Sequence, residues 1–90
     1  MRVAWDPEKA KLNLRKHRIR FSDAEGVLFD PRGVTEEDHT AECEHRYVTV
    51  GLDSLGRVLV VVYTYRGDDI RLISARGSTR KERRSYEKGV

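Results

Sequence analysis

The spacing of apolar positions changes along the chain, from helical in the first third to strand-like in the second half. Residues 2–5 read as a short strand. Asp6-Pro7 marks a helix start, since Asp caps free N–H groups and Pro at the first helical position gives up no hydrogen bond. That helix runs to about Lys16 and carries Ala10, Leu14 and His17 on one stripe. Ser22-Asp23-Ala24-Glu25 fits a capping box and predicts a second helix, with Ala24, Val27 and Leu28 as its apolar face. Asp30-Pro31-Arg32-Gly33 ends it, because the residue before Pro is pushed out of the helical region. Residues 34–45 are polar and acidic and read as an exposed loop or a poorly regular strand edge.

Three strands are predicted next, at 46–52, 57–66 and 69–76, with turns at Asp53-Ser54-Leu55-Gly56 and Gly67-Asp68. Strands joined by such short turns are antiparallel. Thr79-Arg80-Lys81-Glu82 is a second capping box and opens a last helix to about Lys88. Tyr86 is its one large apolar residue, so this helix is either solvated or completed by a partner. The expectation is an α+β single domain over residues 1–90. It has an antiparallel sheet of three to four strands, two N-terminal helices and one C-terminal helix.

Composition narrows the function. Ninety residues leave room for one small core. Apolar residues make up 38% and charged residues 37%, against about 25% charged in an average domain. The charge is segregated. Residues 8–20 hold six Lys/Arg and one acidic residue, residues 66–90 hold eight and four, and residues 30–44 hold one and six. Two basic segments folded together would face phosphate; the alternative is two solvated helix faces. Cys43 is the single cysteine, which rules out an intrachain disulfide and points to a reducing, cytoplasmic setting. It has no nucleophile motif around it. The N-terminus lacks the apolar stretch of a secretory signal, and the longest apolar run, residues 58–63, is too short to span a membrane.

His17, His39 and His45 are scattered without metal-ligand spacing, and no glycine-rich phosphate loop or nucleophile elbow is present. The expectation is therefore no metal and no cofactor, which leaves metal-free acid–base chemistry or none. RNA suits such chemistry because its 2′-hydroxyl is a built-in nucleophile. A protein then needs a proton acceptor, a proton donor and cations for the developing phosphorane charge. His17 and the arginines Arg46, Arg66, Arg71 and Arg76 are the available groups. Arg binds two phosphate oxygens at once and stays charged. His17 reads first as a helix-end or core histidine and otherwise as a catalytic group, and Trp5 first as a core anchor and otherwise as a base-stacking ring. Strict strand alternation puts Arg71 and Arg76 on opposite faces of the last strand. Each needs either an internal carboxylate or a ligand phosphate.

Several segments, in order along the chain, resemble the BrnT toxins. They are Trp5-Asp6-Pro7-Glu8-Lys9-Ala10 with Asn13, Lys16-His17 and Phe21; Phe29-Asp30-Pro31; Arg46-Tyr47 with Gly51; and 58–63. The last is Ile70-Arg71-Leu72-Ile73-Ser74-Ala75-Arg76, followed by Arg80, Glu82-Arg83 and Tyr86. Arg18 and Arg20 depart from the family pattern, which has a glycine and a small polar residue after the Lys-His pair. The resemblance implies a RelE-like fold, metal-independent RNA cleavage that slows translation, and neutralisation by a DNA-binding antitoxin of ribbon-helix-helix type. The pair would repress its own operon, and the toxin is expected as a homodimer or in a 2:2 complex with the antitoxin. From their own chemistry His17, Arg46, Arg71 and Arg76 are the catalytic candidates, and the resemblance adds that Lys16-His17 and Ser74-Ala75-Arg76 coincide with its motifs. Lys16, Arg80, Arg83 and Arg84 are the RNA-binding candidates. The rival class is a basic binding module without catalysis.

Overall fold

A computed structural model describes residues 2–38 and 45–88. The element order is β1 (Val3–Ala4), α1 (Pro7–His17), α2 (Phe21–Ala24), a 3₁₀ turn (Glu25–Phe29), β2 (Val34–Asp38), β3 (Arg46–Leu52), β4 (Val58–Arg66), β5 (Asp69–Gly77) and α3 (Arg80–Glu87). Asp6 caps α1 through its side chain, which accepts from the Glu8 N–H at 2.9 Å, with Pro7 at the first helical position. Arg18 ends α1 in the left-handed conformation (φ 61°), a position that glycine occupies without strain. Thr79 and Glu82 form the expected reciprocal cap of α3.

Two expectations are corrected. The sheet has five strands in the order β1-β5-β4-β3-β2 and is mixed, because β1 runs parallel to β5. Of the two readings of the acidic stretch after Gly33, loop or strand edge, the second holds: it supplies the edge strand β2, antiparallel to β3 from Val34↔Val50 to Asp38↔Arg46. Backbone pairing overrides the low strand propensity of Glu and Asp at this edge position. The capping box at Ser22 does not form. α2 begins one residue earlier, at Phe21, and Arg20 precedes it without a side-chain cap. Burial of Phe21 and Ala24, at 2% and 0% exposure, sets this register, so Ser22 falls inside the helix facing solvent.

α1, α2 and the 3₁₀ turn cover one face of the sheet. Ile19, Phe21, Ala24 and Val27 pack there against Leu59, Val61, Tyr63, Ile70, Leu72 and Ala75. α3 lies on the other face, with Tyr86 beside Val34, Val48 and Val50. Tyr86 donates to Asp30 Oδ2 at 2.5 Å, and Asp30 also accepts from the Leu52 N–H. These bonds tie α3 to the end of the 3₁₀ turn.

Candidate nucleic-acid site

The register of β5 against β4 slips by one residue. Tyr63 pairs with Leu72, but Val62 pairs with Ser74, so Ile73 is an extra residue. Beyond such a bulge the faces exchange. Ile70 and Leu72 point into the core before it, and Ala75 does so after it. Arg71, Ser74 and Arg76 consequently share the α3 side of the sheet, opposite Thr64, Val62 and Val60 respectively. Strict alternation had separated the two arginines; the bulge unites them.

α1 crosses the helix-covered side of β5 and is pinned to the bulge by Asn13. Its amide accepts from the Ala75 N–H at 3.0 Å and donates to the Ala75 carbonyl at 2.9 Å and the Ile19 carbonyl at 3.0 Å. Asn13 is 6% exposed and continues the strand ladder with a side chain. Leu14, expected in the apolar stripe, is 37% exposed instead. The stripe is therefore rotated toward Ala10, Asn13 and His17. Lys9, Lys16 and His17 then line a shallow pocket with Ile73 and Ser74. Ser74 joins this pocket to the row that carries Arg71 and Arg76.

The arginines differ in their partners. Arg76 sends both terminal nitrogens to Glu82, at 2.9 Å each, and one also to the Gly77 carbonyl at 3.1 Å. This charge-assisted fork, with the capping bond from Thr79, lowers the Glu82 carboxyl from 4.5 to about 2. Arg71 is half-buried and makes no hydrogen bond or ion pair among the described residues. It borders a second hollow with Trp5, Asp6, Arg66 and Asp69, neither carboxylate forming an ion pair with it. Arg46 stands opposite Asp38, in the row of Thr64. Thr64 pairs with Arg71, so Arg46 and Arg71 are two strand spacings apart, about 10 Å.

Trp5 meets Phe21 edge to face at 5.9 Å, in keeping with a core anchor. Lys81, Glu82, Ser85 and Tyr86 of α3 turn toward the sheet. Arg80, Arg83 and Arg84 are exposed, and Arg83 has one ion pair, to Glu87 at 3.4 Å. Among the described residues no three His, Cys, Asp or Glu side chains converge as metal ligands. His39 and Cys43 lie outside the described residues.

A basic helix strapped to a bulged strand that carries an arginine row forms a surface suited to a phosphate-bearing ligand. Residues 5–82 match the family model described as the ribonuclease toxin BrnT of type II toxin–antitoxin systems, and the chain belongs to that family. The fold is similar to the 1.1 Å crystal structure of the Brucella abortus ribonuclease toxin BrnT, with a TM-score of 0.66. That alignment has 22% identity and covers 89% of this chain and 99% of the other. No curated protein sequence matches the chain.

Proposed function

We propose that the protein is a metal-independent endoribonuclease that slows translation and works at the junction of α1 and the β5 bulge. The observation that carries this reading is Arg71, a half-buried arginine without a carboxylate partner among the described residues. It shares a face with Ser74, which borders the Lys16–His17 pocket. A phosphate at Arg71 would supply the missing anion. His17 takes the proton from the 2′-hydroxyl, whose oxygen bonds to phosphorus as the P–O5′ bond breaks. The 5′ oxygen leaves with a proton from an acid or water, and a 2′,3′-cyclic phosphate remains. Arg71, Arg46 and Arg76 stabilise the phosphorane charge, with Arg76 also holding Glu82. Lys16 and the outer arginines Arg80, Arg83 and Arg84 bind flanking phosphates.

Within this reading, a ribbon-helix-helix antitoxin neutralises the toxin in the cytoplasm. Together they repress their operon, with the toxin as a homodimer or in a 2:2 complex with the antitoxin. Purified protein incubated with RNA tests the chemistry: fragments with cyclic or 3′-phosphate ends are expected with and without EDTA. Activity lost in EDTA and restored by Mg²⁺ would overturn metal independence. Loss of cleavage in His17→Ala, with RNA still bound, is the expected signature of the proton acceptor. Arg80→Glu with Arg84→Glu is expected to weaken RNA binding and flatten its salt dependence. Unchanged affinity at two salt concentrations would make that helix a solvated face.

A further inference from the structure

We propose that Tyr65, supported by Tyr47 and Tyr63, is a stacking platform for one unpaired base of single-stranded RNA; this rests on the ribonuclease reading. The three rings form one cluster on the helix-covered face, at the end of the sheet where β4 turns into β5. Tyr47 and Tyr63 stack at 6.0 Å with planes 27° apart. Tyr65 stands edge-on to both, at 5.2 and 5.9 Å. Tyr63 is the fixed footing, 4% exposed, with its hydroxyl 2.9 Å from that of Thr49. Tyr65 is 50% exposed, a large ring held in place yet open to solvent.

What surrounds the cluster identifies the occupant. Alternation along each strand pairs a ring or apolar side chain on this face with a cation on the other: Tyr47 with Arg46, Tyr65 with Arg66, Ile70 with Arg71. A nucleic-acid strand rounding the sheet end meets aromatic surface on one side and guanidinium groups on the other. Aromatic rings beside a cationic track are how proteins hold single strands without reading a duplex. The rim decides which part of a nucleotide goes where. Glu37 accepts the His45 Nδ1 contact at 2.6 Å and pairs in register with Tyr47, so a carboxylate borders the rings. Phosphate is repelled there and belongs with the arginines, which leaves the base for Tyr65.

The test uses a short oligoribonucleotide with 2′-O-methyl sugars, which cannot be cleaved, and one 2-aminopurine, whose fluorescence is quenched on stacking. Binding to the unmodified protein is expected to quench it. Tyr65→Ala is expected to bind about ten- to a hundredfold more weakly and to abolish the quench, whereas Tyr65→Phe keeps both. Melting curves of both variants confirm the fold. Equal affinity and equal quenching in folded Tyr65→Ala would overturn the platform while leaving RNA cleavage standing. Failure of the unmodified protein both to bind the oligonucleotide and to cleave RNA would overturn both readings. Loss of antitoxin binding alone in Tyr65→Ala would make the rings a protein contact and also refute the proposal.

Discussion

Replacing Asn13 by Ala removes three hydrogen bonds at a site 6% exposed, two of them to Ala75 and one to Ile19. Each is worth about 1 kcal/mol net, and the Ala75 N–H and carbonyl are left buried without partners, which adds to the loss. We expect about 3–4 kcal/mol of destabilisation, a large share of the roughly 5–13 kcal/mol available to a domain of this size. For a chain of this length that corresponds to a drop in Tm of roughly 12–30 °C. Asn13→Asp separates the two directions of bonding. The introduced carboxylate can still accept from the Ala75 N–H but faces two carbonyls that formerly took protons from Nδ2. Folding then favours the protonated acid, so the pKa of the introduced carboxyl is raised in the folded state. The variant regains stability below the ordinary carboxylate pKa and loses it as pH rises through the raised value. Urea unfolding at pH 4 and pH 7 reads both effects. A loss below about 1 kcal/mol for Asn13→Ala, the net worth of one hydrogen bond, would refute the claim that this amide continues the ladder.

Three further outcomes follow from the same geometry. Arg71→Ala is expected to cut RNA cleavage by about 2–4 kcal/mol of transition-state stabilisation with Tm unchanged, whereas Arg76→Ala lowers activity and Tm together. Paired kinetics and melts decide this, and unimpaired cleavage in folded Arg71→Ala would remove it from the site. The Glu82 carboxyl, lowered to about 2 from 4.5, stabilises the fold fully above its unfolded pKa and ceases to as pH falls toward 2. The pair is partly exposed, so the protein should lose about 1–2 kcal/mol more than Glu82→Gln between pH 6 and pH 2.5, measured by denaturation. Arg18→Gly relieves the left-handed strain at φ 61° and should raise stability by up to about 1 kcal/mol, visible as a higher Tm; a lower Tm would contradict it.

The parts of the fold legible in the sequence were those where local pattern and final environment agree. The alternating Val and Tyr run of β4 lies between two other strands, and Thr79 with Glu82 caps α3 as their spacing implies. Ser22 and Glu25 had the same spacing, yet the buried Phe21 took precedence. The site was legible as a set of residues but not as an arrangement. Nothing in Ile70-Arg71-Leu72-Ile73-Ser74-Ala75-Arg76 announces that Ile73 is unpaired, and that single residue decides which side Arg76 takes. The difference between Arg76 and Arg71 depends on Glu82, six positions beyond Arg76, reaching back across a turn. Asn13 was visible as a family position, but its role is fixed by a partner 62 residues away.

The closure of β5 bears on how copies of this chain can associate. One half of its outer margin is occupied by β1, through Val3↔Ile70 and Ala4↔Arg71, and the other is stopped at Ala75 by the Asn13 amide. Among the described strands, β2 alone keeps a long unpaired margin. It carries Glu36, Glu37 and Asp38, so two such margins laid in full antiparallel overlap would set Glu36 directly against Glu36, with the other carboxylates of both copies close by. Open-ended growth needs two compatible docking margins per molecule, and the described strands offer one long margin, with like charges along it. Among the described strands there is thus no second long margin on which a further copy could continue the sheet.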